Sequence, residues 1–269
     1  MRTLKTNGAL IVTAVVSVSV AACYVSPLPS EDESSPAARI SDLHFTGVWV
    51  AVGSFGNPLG PPPWSNTPWP SRPPFTEFGV AESRRLGDIR NVVPCQPGGP
   101  IFVMWELGLF PIQILEAPDQ IVIQAENVAL PRRIYMDGRG HPDDLEPTWM
   151  GHSIGRWDRD VLVVDTIGTN GRTRAINGVG SNAQASSEDR NPRLPVSDQL
   201  HLVERLRLVA DGEMLEDEMT ITDPKTYTAP IVVKHYWQRR PDIEVLEYVC
   251  GERPRASDEI QTGDKVQQP

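Results

Sequence analysis

The chain has 269 residues, a formal net charge of −10 and a sequence pI of about 5.0. An acidic protein without a Lys/Arg-rich face repels phosphate backbones, so we expect no nucleic-acid partner. No Walker, Rossmann, EF-hand or Gly-x-Ser-x-Gly pattern is present, which leaves nucleotide and calcium binding and serine-hydrolase chemistry without support.

The N-terminus has the pattern of an export signal. Two basic residues precede an apolar run over residues 9–21, which is short for a transmembrane span. The segment ends in Val-Ala-Ala before Cys23 and resembles the lipobox of bacterial lipoproteins, in which the cysteine is lipidated. We therefore predict a lipoprotein signal peptide over residues 1–22 and membrane attachment through lipid on Cys23, with ordinary secretion as the alternative. Tyr24 favours an outer-membrane destination facing the periplasm, because an aspartate there would signal inner-membrane retention.

Composition then divides the mature chain. Residues 23–41 are rich in Pro, Ser and acidic side chains, which predicts a disordered tether. A single β domain follows over residues 42–252, and a polar tail over residues 253–269 is predicted to be disordered. Cys95 and Cys250 remain in an oxidising compartment, so we predict a disulfide between them, with two buried free thiols as the alternative.

The first strand lies near the start of this domain. Alternating, β-branched residues surround Gly47 and Trp49, a Gly-x-Trp pattern that resembles the opening of lipocalin-like barrels, where the Trp plugs the barrel base. Residues 56–76 are too rich in proline for sheet or helix. They predict either a mobile lid or an ordered strap that packs through Trp64, Trp69 and Phe75. Glu77–Arg90 can hold one short helix.

From Ile101 onward, alternating runs joined by short turns predict a chain of strands. Turn signals lie at Pro118-Asp119, Asp158–Asp160, Ala210–Gly212 and Arg240–Asp242. No βαβ alternation exists, so we predict an all-β fold with at most one or two short helices. The fold is an antiparallel meander, closed into a lipocalin-like barrel or folded as a sandwich. Residues 168–197 form a long irregular insertion at one rim.

Period-two alternation sorts the strand faces. Glu204 shares a face with leucines, and Asp165 shares one with Val161 and Val163. A carboxylate on such a face must be paired, hydrogen-bonded or shifted in pKa. Either it works as a general acid or base in a closed pocket, or it forms a structural ion pair with an arginine: Arg133, Arg156 or Arg205.

The polar loop over residues 138–151 concentrates the titratable side chains. His141 and His152 lie in or beside it, and Asp137 and Arg139 lie at its start. We expect either acid–base use of a histidine or a shaped loop in which the histidines hold the turn by hydrogen bonds. No HxH or HExxH spacing is present, so we expect neither a metal nor a cofactor.

Several motifs carry a wider resemblance. The stretch RRIYMDGRGHPDDLEPTWMGHSIGRWDRDVLVVDTIG, then LHLVERLRL, TITDPKTY and EYVC-x-E, resembles a large group of exported bacterial proteins without a settled activity. The match runs from about Cys95 to Glu252. It implies one domain in which Cys95 and Cys250 recur, and it implies no particular chemistry. The chain departs from the group in the insertion at 170–195 and at Val196, where a histidine often stands.

We therefore predict an exported, cofactor-independent enzyme that acts by acid–base chemistry, as a lyase, isomerase or hydratase, on a small apolar or aromatic molecule. The alternative is a non-catalytic lipoprotein that binds a small hydrophobic ligand or an envelope partner. The predicted catalytic residues are Asp137, His141, His152 and Glu204. The predicted substrate-binding residues are Tyr135, Arg139, Trp149, Trp157, Asp165 and His201.

Overall fold

The structure is a computed structural model, and it describes residues 45–53, 66–67, 69–70, 72–87, 96–106, 110–172, 176–177 and 193–249. All of them belong to one compact unit, Ile40–Pro269. The predicted signal peptide, tether and tail lie outside the described residues, as do Trp64 and all three cysteines, Cys23, Cys95 and Cys250.

Strands dominate the described residues, and the helices are short. The helices are α1 (Glu77–Gly87), α2 (Gly99–Ile101), a π-helical turn (Phe102–Glu106) and a 3-10 turn (Ala210–Gly212). The strands are β1 (Gly47–Ala51), β2 (Ile112–Ala117), β3 (Gln120–Ala125), β4 (Arg132–Tyr135), β5 (His152–Asp158), β6 (Val161–Ile167), β7 (Ile176–Asn177), β8 (Arg193–Leu194), β9 (His201–Val209), β10 (Met214–Thr222) and β11 (Ile231–Arg239).

Nine strands close into a barrel in the order β1-β11-β10-β9-β6-β5-β4-β3-β2, and β7 and β8 form a separate two-stranded ribbon. The predicted all-β barrel with at most one or two short α-helices is confirmed, and the barrel alternative replaces the sandwich. One neighbouring pair departs from the antiparallel pattern, because β4 and β5 run parallel, with Ile134 opposite Ser153. Parallel neighbours need a long return connection, and the loop over residues 136–151 supplies it.

Hairpins form where the turn residues predict them, with one exception. At the β9–β10 turn, Asp211 and Gly212 both have positive φ, as an Asp-Gly turn requires. The exception is the last predicted strand, because residues 243–249 form no strand. β1 instead pairs with β11, with Trp49 opposite Arg239, and this pairing closes the barrel.

Large apolar side chains line the barrel interior. Trp49 and Trp237 are fully buried, and the π-helical turn adds Met104 and Trp105 to the same core. The indole of Trp49 donates to the Phe45 carbonyl at 2.9 Å, and the Arg239 guanidinium lies 4.2 Å from the centre of its ring. The interior is therefore mostly apolar, and its few polar side chains each require an explanation.

The proline-rich segment packs against the barrel wherever it is described. The Thr67 amide donates to the Lys234 carbonyl at 2.8 Å, and Trp69 is 5% exposed. Phe75 stacks on Tyr227 with ring centres 5.6 Å apart. Thr76 then caps α1 by accepting a hydrogen bond from the Gly79 amide at 3.1 Å. These contacts support the strap interpretation for the described part of residues 56–76.

Candidate active site

Three histidines and one aspartate meet on the outer face of β5, β6 and β9; we call them the histidine cluster (His141, His152, His201 and Asp165). His141 Nδ1 lies 2.8 Å from His152 Nδ1, and His141 Nε2 lies 3.2 Å from Asp165 Oδ1. His201 Nε2 contacts the same Asp165 oxygen at 3.0 Å. All four residues are among the ten predicted site residues, and the sequence places them at widely separated positions.

Local structure explains how the loop brings His141 to the barrel wall. The Thr148 amide donates to the Gly168 carbonyl at 3.0 Å, and the Asn170 amide donates back to Thr148 at 2.8 Å. Gly151 ends the loop with φ of 68°, and a Cβ there would lie 2.5 Å from the Ile167 carbonyl oxygen. Only glycine suits this position, because a side chain would be strained and would also push the loop off β6.

A layer of stacked groups covers the cluster. Tyr135 stacks on His152 with ring centres 5.1 Å apart and planes 27° apart. The Arg139 guanidinium lies 4.1 Å from the centre of the Tyr135 ring on the same assembly. Asp137 holds Arg139 through hydrogen bonds of 2.8 and 2.9 Å to Nε. Asp137, Arg139 and Tyr135 thus lie beside the histidines.

When His141 is neutral, the hydrogen-bond network assigns each ring proton to one nitrogen. Asp165 accepts from His141 Nε2–H, which leaves His141 Nδ1 to accept from His152 Nδ1–H. His152 Nε2 then carries a lone pair, and none of the described residues hydrogen-bonds to it. Partial burial lowers the pKa of His152, the nearby Arg139 cation lowers it further, and His141 does the same whenever it is protonated. His152 is therefore neutral at neutral pH and is able to accept a proton.

Glu204 lies on the opposite side of the barrel wall from the histidine cluster. It is fully buried and forms a bidentate ion pair with Arg132, whose Nη1 donates to Oε1 at 2.7 Å. Arg132 also donates to the Thr166 hydroxyl at 3.1 Å. Glu204 thus forms a structural ion pair, which was one of the two predicted interpretations. The predicted partners, Arg133, Arg156 or Arg205, are wrong, because the partner is Arg132. Arg133 is exposed, because it points outward from β4.

Two further predicted positions need correction. Asp165 does not share the inner face with Glu204, since its side chain is 40% exposed and points outward. Trp157 lies at the far end of β5 from His152, where it stacks on Phe45 with ring centres 5.5 Å apart. Trp149 is half-buried in the loop, and no ring contact joins it to the histidine cluster among the described residues.

Several buried polar residues were not predicted from the sequence, including one on β10 and one on β11. Asp217 on β10 and His235 on β11 face the barrel interior directly opposite each other. The signal was available, because Asp217 alternates with Leu215 and Met219 as Glu204 alternates with leucines. Together with Arg132 and Glu204 they form an internal polar centre.

Comparisons with known proteins do not identify a function, so the functional assignment rests on the geometry of the site. No helix in the described residues has the length and apolar character needed to cross a bilayer. Among the same residues, no group of three or more His, Cys, Asp or Glu side chains is arranged to hold a metal ion. The chain matches no protein-family model, and no curated protein matches it.

Proposed function

We propose that this protein is an exported enzyme that moves a proton to or from a small apolar or aromatic substrate, with His152 as the general base. One observation carries the proposal: a continuous hydrogen-bonded chain runs from Asp165 through His141 to His152 and ends in a ring nitrogen with no described partner. Such a carboxylate–imidazole chain orients a base and stabilises the cation that forms when it takes a proton.

The reaction step follows from the tautomers. His152 Nε2 accepts a proton from the substrate, and His152 passes its Nδ1 proton to His141 Nδ1. His141 then carries the positive charge while its Nε2–H faces the Asp165 carboxylate. Return of the proton to a second substrate atom gives the isomerase outcome, and its transfer to a leaving group gives the lyase outcome. In the hydratase outcome, His152 takes the proton from water, the hydroxide adds to one carbon of a substrate double bond, and the proton returns to the other carbon.

The surroundings of His152 support an apolar or aromatic substrate. The Tyr135 ring stacks on His152, and the Arg139 guanidinium makes a cation–π contact with that ring. Both groups are able to make the same kinds of contact with an aromatic substrate. Asp137 keeps Arg139 in place, which makes Asp137 a positioning residue in this proposal. Tyr135 and Arg139 are therefore the substrate-contact residues that we propose beside the base.

The direct test is deuterium exchange at carbon. A panel of small aromatic and aliphatic carbonyl compounds with acidic C–H bonds is incubated with the protein in heavy water and followed by NMR. We expect exchange on at least one compound, and we expect His152→Ala to slow it by about 10²–10⁴-fold. Asp158→Asn is the matched control, since Asp158 is an exposed carboxylate on the same strand that is paired only with Arg205.

A second readout does not need a substrate. Nitrogen-15 NMR of the histidine rings should show His152 protonated on Nδ1 and His141 on Nε2 at neutral pH. If His152 instead carries its proton on Nε2, the proposed base is wrong. If wild-type protein binds panel compounds without exchanging them, the protein is a binding lipoprotein instead of an enzyme.

Export and anchoring are part of the same proposal. The signal-like residues 1–22 and the lipobox-like sequence before Cys23 support an outer-membrane lipoprotein facing the periplasm. Metabolic labelling with a fatty acid should mark the wild-type chain and leave Cys23→Ser unlabelled. Non-reducing peptide mapping of the same material tests the predicted link between Cys95 and Cys250, and recovery of both as free thiols would contradict it.

A further inference from the structure

The internal polar centre contains more hydrogen-bonding groups than it satisfies. Asp217 and His235 are cross-strand neighbours that are 0% and 4% exposed. Among the described residues, neither carboxylate oxygen of Asp217 and neither ring nitrogen of His235 has a hydrogen-bond partner. Directly opposite residues of an antiparallel pair have Cβ atoms about 5 Å apart, so these two side chains border one region of the interior.

Two donors complete the set. Arg132 uses its terminal nitrogens on Glu204 and Thr166, but its Nε–H has no partner in the part of the chain that the structure describes. The same holds for the indole N–H of Trp237, whose ring centre lies 5.2 Å from that of His235. Glu204 lies opposite Met219 in the β9–β10 register, so Asp217, two residues along β10 on the same face, lies diagonally beside the ion pair.

Aromatic rings enclose this region on the His235 side. Trp105 meets His235 edge-on with ring centres 4.6 Å apart, and Trp69 from the proline-rich strap packs on Trp105 at 5.1 Å. Apolar walls with a few converging polar groups are the usual composition of a small-molecule site. A structural core gains nothing from this arrangement, since each buried polar group without a partner costs about 1–3 kcal/mol.

Electrostatics restrict what such a site accepts. Arg132 and Glu204 neutralise each other. Burial raises the pKa of Asp217 well above its ordinary value and lowers the pKa of His235 to about 3, so burial shifts both groups toward their uncharged forms. A charged ligand would be desolvated without a counter-ion, which is far costlier than burying a neutral polar group.

We propose that the barrel interior between Asp217, His235, Arg132 Nε and Trp237 Nε1 is a second binding site, for a small uncharged molecule with a hydroxyl or amide group. The ligand would accept from Arg132 and Trp237 and exchange hydrogen bonds with Asp217 and His235. This site lies on the opposite side of the barrel wall from the histidine cluster, and it does not depend on the proposed function.

The test compares two probes that differ in one polar group. Binding of para-fluorophenol and para-fluorotoluene to the full mature chain is followed by fluorine NMR. We expect fluorophenol to bind at least about tenfold more tightly than fluorotoluene, because only the phenol satisfies the buried groups. Asp217→Leu and His235→Phe, tested separately, should each remove that preference, and Asp217→Asn should retain it because an amide also donates and accepts.

Circular dichroism and urea unfolding check that each variant folds, and His235→Phe still tests the proposal if Asp217→Leu does not fold. Equal binding of the two probes, or a preference for the phenol that survives both apolar substitutions, overturns the proposal. So does a high-resolution crystal structure, grown with saturating fluorophenol, in which only ordered water contacts Asp217 and His235. The preference for fluorophenol over fluorotoluene should persist in His152→Ala, and its loss in that variant would place the phenol at the histidine cluster and overturn the proposal.

Discussion

Two carboxylates on adjacent strands of one barrel have opposite surroundings. Glu204 on β9 is fully buried and held by Arg132, whereas Asp165 on β6 is 40% exposed and accepts from His141 and His201. In the β6–β9 register Val164 pairs with Glu204 and Asp165 with Val203. A single step of register therefore sends one acid inward and the other outward, because side chains alternate between faces.

The difference in surroundings decides what each acid can do. In the interior, a charge that loses its partner stays desolvated, so breaking the Arg132–Glu204 pair destabilises the folded protein. On the outer face, solvent screens the Asp165 charge, and protons exchange with water and with the histidines. The inner acid is thus suited to structure and the outer acid to chemistry.

The largest expected effect is on the inner acid. Glu204→Gln keeps the shape of the side chain but leaves the Arg132 cation buried without a counter-charge. We expect the free energy of unfolding to fall by about 3–5 kcal/mol, the usual result of breaking a buried ion pair on one side. Urea denaturation followed by circular dichroism measures this loss.

The matched control removes both charges together. Arg132→Met with Glu204→Leu replaces the pair by apolar groups, which typically leaves stability unchanged or raises it by about 1–4 kcal/mol. If the double variant loses as much stability as Glu204→Gln, then hydrogen bonds to Thr166 and local packing hold this region instead of the charge pair.

The sequence predicted the barrel better than it predicted the barrel's closure. Alternation and the Asp211-Gly212 turn are local signals, and the strands they predict are present. The pairing of β1 with β11 joins distant segments, and no local pattern specifies it. The parallel pair β4–β5 was missed for the same reason, since it depends on the path of a loop without periodicity.

The candidate site divides in the same way. Composition indicated the loop that carries His141, but the inner and outer faces were assigned by counting apolar neighbours. That count failed at Asp165, because Val163 on the outer face is also buried, at 5% exposure. It also chose the wrong arginine as the partner of Glu204 by one residue, because Arg132 points inward and Arg133 points outward.

The second effect concerns the pH dependence of stability. The pKa of His235 is lowered from 6.5 to about 3 in the folded protein, so below about pH 6.5 the unfolded chain binds the extra proton. This depressed pKa contributes stability that is complete above about pH 6.5 and lost as the pH falls toward about 3, at up to ~1.4 kcal/mol per pH unit. His235→Phe should flatten that loss.

Urea unfolding at a series of pH values from about 7 down to about 4 gives the comparison, taken as variant minus wild type so that other carboxylates cancel. His152→Gln is the control from the outer face, where burial is only partial and the pKa is lowered in the same direction. Parallel curves for His235→Phe and wild type would mean that His235 reaches solvent or a partner in solution.

The smallest expected effect on stability is at the outer acid. Asp165→Asn changes an exposed group, so we expect the free energy of unfolding to change by about 0.5 kcal/mol or less. Its effect on the histidines is larger, because an amide carries no charge to stabilise a cationic His141 and can donate as well as accept. The proton of His141 is then free to move from Nε2 to Nδ1, which reverses the hydrogen bond to His152 and takes away the base.

Nitrogen-15 NMR reads that tautomer change, and the same sample in heavy water reads the loss of substrate exchange. If Asp165→Asn has wild-type stability, altered histidine tautomers and no substrate exchange, then Asp165 acts in proton transfer. The loss of stability expected for Glu204→Gln would show in the same way that Glu204 acts in folding. If Asp165→Asn instead loses as much stability as Glu204→Gln, the histidine cluster has a structural role and holds the 136–151 loop against β6. In that case the loop's backbone hydrogen bonds at Thr148 are too weak to hold it alone.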